Sequence, residues 1–389
     1  MAPGHPSIAA RALAQLRGAG PSTVTDLARS LDVSRTSVEK ALIALEASGI
    51  VVAGPDFAAK GAGRPARSYA FHASAGSAVG IDIGIGSVRV LLADLDGRVA
   101  VQREFPGVQD HEDGAAKLAA VFDRVHETLA AAPRLASSIL AAGVSLPGIV
   151  DDGGRVTASV VIPEWSGVDV GAQLTQTLGC PVSVDNGVRL AAVAEHHLGV
   201  AQFVDDLLYI SVGNRIAMGL ILDGEPRRGI HNAAGDIGRL AFRSIVGETG
   251  QIVWRTAPTA AEVFERAGAG DDAARAELDA FIDQLSQGIA TLAMTVDPAM
   301  IVIGGGLSEA HEDLLGPLRS ALQQHIDLPF RIPLVAARLG AAAAAHGALV
   351  HAFQEHSSHI YGLDGMPTPQ ITILDTTATV PSREDQHGL

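Results

Sequence analysis

One cysteine, Cys180, stands in 389 residues, so the chain closes no disulfide on itself and builds no cysteine-rich zinc site. No apolar run reaches the roughly 18 uncharged residues of a membrane helix. The opening stretch MAPGHPSIAARALAQL lacks a basic segment followed by an apolar core and a cleavage site, so no export signal is read and a cytoplasmic location is expected. The 14 histidines show no ligand-like clustering, and the adjacent His196 and His197 are expected on a helix surface. Basic charge is scarce too. With 28 Lys+Arg against 43 Asp+Glu the formal net charge is -15, which averaged over the chain argues against a nucleic-acid partner.

That average hides a split. Residues 1–72 hold eight basic side chains (Arg11, Arg17, Arg29, Arg35, Lys40, Lys60, Arg64, Arg67) against five acids, so a small basic head precedes a large acidic body. In the head, Thr23 or Thr25 caps a short helix carrying Leu27, Ala28 and Leu31 on one face, and LDVS turns the chain. Ser34 caps a second helix in which Val38, Ala41, Leu42 and Leu45 recur at helical spacing. That leaves Ser34, Arg35, Thr36, Ser37 and Lys40 at its exposed N-terminal half, where a recognition helix reads the major groove. The segments IVVAG and SYAF alternate as strands around PDFAAKGAGRPAR, a wing whose Lys60, Arg64 and Arg67 face phosphates or the minor groove. The expected module is a winged helix-turn-helix over residues 1–75, with double-stranded DNA as its partner.

From Ala78 the pattern turns to strands. AVGIDIGIGSVRVLLADLDGRV reads as strand, Gly-rich turn, strand and Asp-Gly turn, and DLLYISVGNRIAMGLILDGEP repeats that plan about 125 residues later. A duplicated α/β unit follows, with two glycine turns able to cradle phosphates through backbone N–H groups. The ordered motifs GIDIGIGS, AAGVSLPGIVD, VDNGVRLAAVAEHHLG, ISVGNRIAMGLILDGEPRRGIHNAAGDIGRL and VDPAMIVIGGGLSEA resemble the ROK family of repressors and sugar kinases, from about Gly80 to Val350. The resemblance implies an actin-like, ribonuclease-H-like body at 76–350, with lobes of about 76–190 and 191–350. Residues 351–389, rich in Pro, Thr, Ser and Asp, are expected to form an extended tail.

Family kinases take the attacking sugar proton with the Asp of a Glu-Asn-Asp-Ala-Asn pattern. Here that segment is Asp185, Asn186, Gly187, Val188, Arg189, so the base is missing and no catalytic residue is assigned. The first phosphate loop keeps Asp82 and Gly84. The second keeps Gly213 but carries Arg215 and Ala217 where the family has glycine, and Gly304 and Gly305 survive in IGGGL. The family's Gly-Glu-x-Gly-His reads GDIGR, with Asp236 and Arg239 in the acid and histidine positions, and no cysteine follows it. Neither ATP nor zinc is expected as a cofactor.

Part of the ligand pocket is retained by resemblance: Glu164, Trp165, Asp185, Asn186, Asp236 and Arg239 are expected to line a polar cleft for a sugar, a phosphosugar or another small polar effector. Arginine in place of histidine favours a carboxylate or phosphate on that ligand. The reading is a transcriptional regulator, a repressor that dimerises or pairs into tetramers and presents two heads to a near-palindromic operator. Two alternatives stand beside it. A sugar kinase with residual phosphotransfer calls for a carboxylate at 187, glycine at 215 and histidine at 239, none of which is present. A pseudokinase scaffold that binds no DNA leaves Arg35, Lys40, Arg64 and Arg67 without a role.

Overall fold

Ser7 accepts the Ala10 N–H at 3.1 Å and opens α1 (Ile8–Ala19), which buries Ala12, Leu13 and Leu16. The computed structural model describes residues 6–54, 66–307 and 312–373. Neither α1 nor the short β1 (Ser22–Thr23) was expected from the sequence. Thr23, the nearer of the two capping candidates, accepts the Asp26 N–H and starts α2 (Val24–Leu31). Asp32, at φ 53, ends it in the left-handed region, and Ser34 starts α3 (Arg35–Ala47). β2 (Val51–Ala53) and β3 (Ser68–Phe71) pair antiparallel in the register Val51↔Phe71, and β1 joins through Ser22↔Tyr69 to give a three-stranded sheet of order β1-β3-β2.

The body follows as β4 (Ser77–Ile83), β5 (Ser87–Asp94), β6 (Val99–Pro106), α4 (Gly114–Ala130), α5 (Pro133–Ala136) and β7 (Ile139–Leu146). A two-stranded ribbon of β8 (Ile149–Val150) and β9 (Val156–Ala158), then α6 (Val170–Leu178), lead into β10 (Val182–Asn186). The second half runs α7 (Gly187–His197), β11 (Leu207–Val212), β12 (Ile216–Leu222), β13 (Glu225–Pro226), α8 (Gly238–Ala241), α9 (Ala260–Gly268), α10 (Asp272–Val296), β14 (Met300–Gly304), α11 (Glu312–Ile326) and β15 (Leu334–Ala336). It ends in α12 (Ala343–Glu355) and α13 (Ser357–Tyr361).

The duplication shows in the strand order. One sheet reads β6-β5-β4-β7-β10 and the other β13-β12-β11-β14-β15, the same third-second-first-fourth-fifth arrangement twice. In each, an antiparallel hairpin comes first: β4 on β5 from Ser77↔Asp94 to Ile83↔Val88, and β11 on β12 from Leu207↔Ile221 to Val212↔Ile216. β14 then pairs parallel to β11, and β15 parallel to β14. Asp223 and Gly224, both at positive φ (54 and 76), make the two-residue turn from β12 to β13, which pair as Leu222↔Glu225.

The chain divides into two compact units that interleave along the sequence. One comprises residues up to Val144, Gly171–Ser183 and the chain from Leu349 onward; the other comprises Ser145–Val170 and Val184–Ala348. The boundaries expected at 75, 190 and 350 do not coincide with the edges of these units. The head shares a unit with the first sheet, and so does the C-terminal segment.

The expectation of an extended tail from 351 is overturned over residues 351–373. α13 buries Ile360 and Tyr361, and Met366 and Ile371 are buried beyond it. The Tyr361 hydroxyl donates to the Leu95 carbonyl at 2.8 Å, and Arg17 of α1 donates to that hydroxyl at 3.0 Å and to the Pro367 carbonyl at 2.5 Å. Thr372 donates its N–H to the Gly97 carbonyl at 3.0 Å, while its hydroxyl accepts from the Val99 N–H at 2.9 Å. A composition rich in turn formers hid four buried apolar anchors. Residues 374–389 lie outside the described ones.

Candidate functional site

In the head, α3 turns Val38, Leu42 and Leu45 inward, and Ser34, Arg35, Thr36 and Lys40 are exposed. Ser34 accepts the Ser37 N–H at 3.1 Å and lies 2.9 Å from the Ser37 hydroxyl, so both serines serve the helix cap, with Ser37 half-buried. Thr36, Lys40 and Ile43 fall at i, i+4 and i+7, and Ile43 is 66% exposed, an apolar member of that face which the sequence pattern did not single out. Arg67 pairs with Glu46 of α3 and stacks 5.1 Å over the Tyr69 ring, so it is anchored within the head. Lys60 and Arg64 lie outside the described residues.

The junction of β10 and α7 carries the altered family motif. Asn186, expected to contact a sugar, is the N-cap of α7: its side-chain oxygen accepts from Val188 and Arg189 N–H groups at 2.9 and 3.3 Å. Its amide donates to the Gly148 carbonyl at 2.8 Å. Asp185 is buried and doubly engaged. Arg189 donates to one carboxylate oxygen, and Arg228 donates to the other at 3.0 Å. Arg228 also reaches Asp152 at 3.3 Å, Asn232 donates to the same Asp152 oxygen at 3.3 Å, and Arg189 donates to the Asn232 carbonyl at 2.9 Å. Burial pulls the Arg189 guanidinium below its ordinary value, and the Asp185 charge opposes that shift. A side-chain carbon added at Gly187 would lie 2.9 Å from the Ser145 hydroxyl, so a carboxylate enters there only if that hydroxyl moves.

Glu164 is exposed on a short turn, while Trp165 is 1% exposed and belongs to the core. Asp236 and Arg239 are exposed. Arg239 packs its methylenes on Gly250, as does the guanidinium of Arg215, which donates to the Thr249 carbonyl; an added carbon at Gly250 would lie 3.1 Å from each. The glycine loops are held by their own backbone. Gly84 donates to the Ser87 carbonyl at 2.8 Å, and Asp82 is paired with Arg89 at 3.6 Å. Gly213 donates to the Arg215 carbonyl at 3.0 Å. Tyr209, buried and with its hydroxyl pushed up in pKa by that burial, occupies the space a side chain at Gly304 would need, and Gly305 sits at φ 81 against the Val212 carbonyl. Asp82 and Gly84 belong to the first unit, and Gly213, Gly304 and Gly305 to the second.

His196 and His197 are half-buried, contrary to the surface placement expected; burial pulls His196 down, opposed by the Asp205 and Glu225 charges. Among the described residues no three His, Cys, Asp or Glu side chains gather as a metal site, and no helix is long and apolar enough to cross a membrane. Sequence reasoning missed Arg189 and Arg228 as partners of Asp185. The i,i+4 spacing of Asp185 and Arg189 was a usable signal; Arg228, 43 residues away, offered none.

Two sheets of one order with helices between their strands define an α/β protein of the actin-like sugar-kinase type. The ROK family pattern matches residues 78–251 and 240–355, and the chain belongs to the ROK family. A xylose repressor of Caldicellulosiruptor bescii is 24% identical over 333 residues, which cover 77% of this chain and 83% of the relative. Among solved structures, a ROK hexokinase from Thermus thermophilus superposes with a TM-score of 0.61 at 24% identity, over 72% of this chain and 99% of its own. A ROK family transcriptional regulator, a homologue of the E. coli MLC protein, superposes with a TM-score of 0.70 at 21% identity, over 92% of this chain and 96% of its own.

Proposed function

We propose that the chain is a ROK transcriptional regulator, a repressor whose winged helix-turn-helix head binds operator DNA and whose body senses a small polar effector without phosphorylating it. The observation that carries this is the α3 surface: Arg35, Thr36 and Lys40 lie exposed opposite a buried Val38, Leu42 and Leu45 seam, in a basic head on an acidic body. Likeness to the solved regulator extends over 92% of the chain, against 72% for the hexokinase, so the added length includes residues beyond the sugar-kinase-like body. The xylose repressor relative supports an operator as partner and a sugar-like effector.

The same reading makes the body a non-enzyme. A phosphotransferase of this family needs a base at 187, and Gly187 supplies none. Asp185 has its two oxygens engaged by Arg189 and Arg228. Two copies of the chain place two heads on a near-palindromic site, and an effector that prefers one arrangement of the body shifts DNA affinity by linkage. The test is capture of genomic fragments by the full-length protein at about 150 mM salt, where non-specific phosphate contacts are weakened. Enrichment of a palindromic site that is lost with Arg35→Ala and Lys40→Ala supports the reading; no enrichment, or enrichment unchanged by the pair, overturns it.

A further inference from the structure

Ile43 stands 66% exposed on α3, the largest apolar side chain on the outward face of that helix. At about 100° of rotation per residue, Ile43 and Ala47 fall within about 20° of Thr36, on the side of the helix away from the buried Val38, Leu42 and Leu45. Thr36, Ile43 and Ala47 are all exposed. Lys40 lies to one side of this line and Glu39 and Arg35 to the other, and each of these is exposed as well. The middle of the face is therefore built of methyl groups, with charge along both edges.

A lone surface isoleucine is ordinary, because much of any protein surface is apolar. This one has a local cost. Isoleucine is a poorer helix former than the lysine, glutamate or glutamine that an exposed helical position accepts freely, and on a helix its β-branch is held in one rotamer. The same stiffness means that little side-chain freedom is lost when its methyls are covered. Charge says what covers them. Arg29 pairs with Asp26 and Arg67 with Glu46, while among the described residues neither Arg35 nor Lys40 is in an ion pair. Two such cations flanking a stripe of methyls fit a polyanion that carries apolar groups in its groove. In the major groove of DNA that group is the C5-methyl of thymine, which apolar and threonine side chains contact. Thr36 and Ile43 lie about 10 Å apart along the helix axis, on the order of three base-pair steps, so the stripe spans part of one half-site. We infer that Ile43 reads thymine, its methyl groups covering the C5-methyl of one thymine in each half-site of the operator. The inference rests on the reading of the head as a DNA-binding module and adds the base that this face selects.

The experiment replaces each thymine of a captured operator in turn by deoxyuridine, which keeps the pairing edge and lacks only the C5-methyl, and measures binding of the full-length protein by fluorescence anisotropy. The wild type is expected to lose about fourfold in affinity at one position of each half-site, the worth of one buried methyl group, and about fifteenfold when both are replaced. Ile43→Ala is expected to bind the thymine and deoxyuridine operators alike at that position, while Ile43→Val, which keeps the β-branch, retains most of the discrimination. Ile43 is exposed and alanine is the better helix former, so the melting temperature of Ile43→Ala is expected to be unchanged or higher. The inference is overturned if no deoxyuridine position weakens the wild type, or if Ile43→Ala discriminates as the wild type does. It is overturned too if Ile43→Ala alters the sedimentation of the DNA-free protein and leaves thymine discrimination intact, which assigns the face to contact between two copies. Capture of no fragment removes the DNA-binding reading and this inference with it; an operator whose thymines all tolerate deoxyuridine removes this inference alone.

Discussion

Arg189 and Asp185, four residues apart across the β10–α7 junction, form an ion pair in which each side chain is 3% exposed. Removing one partner of such a pair strands a charge in a poorly solvated place, which costs about 3–5 kcal/mol. Asp185→Asn is therefore expected to destabilise the protein by that order in urea unfolding, because Arg189 loses its counter-charge and Arg228 loses one of two. Adding Arg189→Met to Asp185→Asn should recover part of the loss, since the stranded charge goes with it. Two single variants whose costs simply add would show that the pair is not coupled.

On the non-enzyme reading, a carboxylate placed at 187 is not expected to give the chain phosphotransfer. Gly187→Asp is expected to leave the protein without sugar-dependent ATP turnover in a coupled ADP-release assay. The new side chain meets the Ser145 hydroxyl, and Arg215 stands at the loop where kinase relatives let backbone approach phosphate. Turnover that appears in Gly187→Asp and is absent from the wild type would show that the remaining kinase machinery is intact.

Much of the body was legible because its hairpins end in Asp-Gly turns and its strands alternate or run apolar, local signals that need no partner. The head's two capping residues, Thr23 and Ser34, were legible for the same reason. The contacts that organise the site were not. Asn186 was read as a polar ligand contact alone; its second role, the N-cap that accepts from Val188 and Arg189, was not read from the sequence. Tyr361 meets Leu95 across 266 positions, a separation over which periodicity and turn chemistry carry no information. The interleaving of the two units along the sequence reflects such long-range contacts, which motif order does not carry.

If Arg35 and Lys40 face phosphates, each contributes a counterion-release increment to operator binding. Arg35→Ala and Lys40→Ala are each expected to flatten the slope of log affinity against log salt by about 0.9 and to weaken binding to all sequences alike if the contact is to phosphate. Fluorescence anisotropy on a captured operator fragment over a salt series measures it. An unchanged slope with relaxed sequence preference would move that residue from phosphate contact to base reading.

His346 predicts an acid limb to stability. Its Nδ1 lies 3.0 Å from the Ala342 carbonyl, which only accepts, so Nδ1 carries the proton; Nε2 is buried with no hydrogen-bond partner among the described residues. Burial pushes the ring below its ordinary 6.5, with the Ala342 bond opposing. A folded-state pKa below the unfolded one means the unfolded chain binds more protons in between, so this stabilisation is whole above pH 6.5 and is lost as pH falls below it. The limit is about 1.4 kcal/mol per pH unit for one proton. His196 and His356 are shifted the same way by burial, so His346→Leu should reduce the slope of melting temperature against pH between about 6.5 and 5 without abolishing it. An identical slope in the variant would show that His346 binds its proton equally in the folded and unfolded chain.

The Tyr361 hydroxyl sits between two partners, donating to the Leu95 carbonyl and accepting from Arg17, and Arg17 lies 5.5 Å from the centre of its ring. Burial raises the hydroxyl to about 12, so it remains protonated at any working pH and keeps donating. Tyr361→Phe preserves the ring and its stacking on Phe353 but leaves the buried Leu95 carbonyl unpaired, at a cost of about 1–3 kcal/mol. Arg17→Ala removes the second hydrogen bond, the ring contact and the bond to Pro367 together. Because α1 belongs to the head and Tyr361 to the C-terminal segment, the two changes should couple in a double-mutant cycle, with the pair costing less than the sum. Hydrogen exchange of α1 amides gives a local reading of the same contact: faster exchange in Tyr361→Phe, with α10 unchanged, is expected if the C-terminal segment holds the head through this residue. Uniform acceleration across the chain would instead place the loss in global stability.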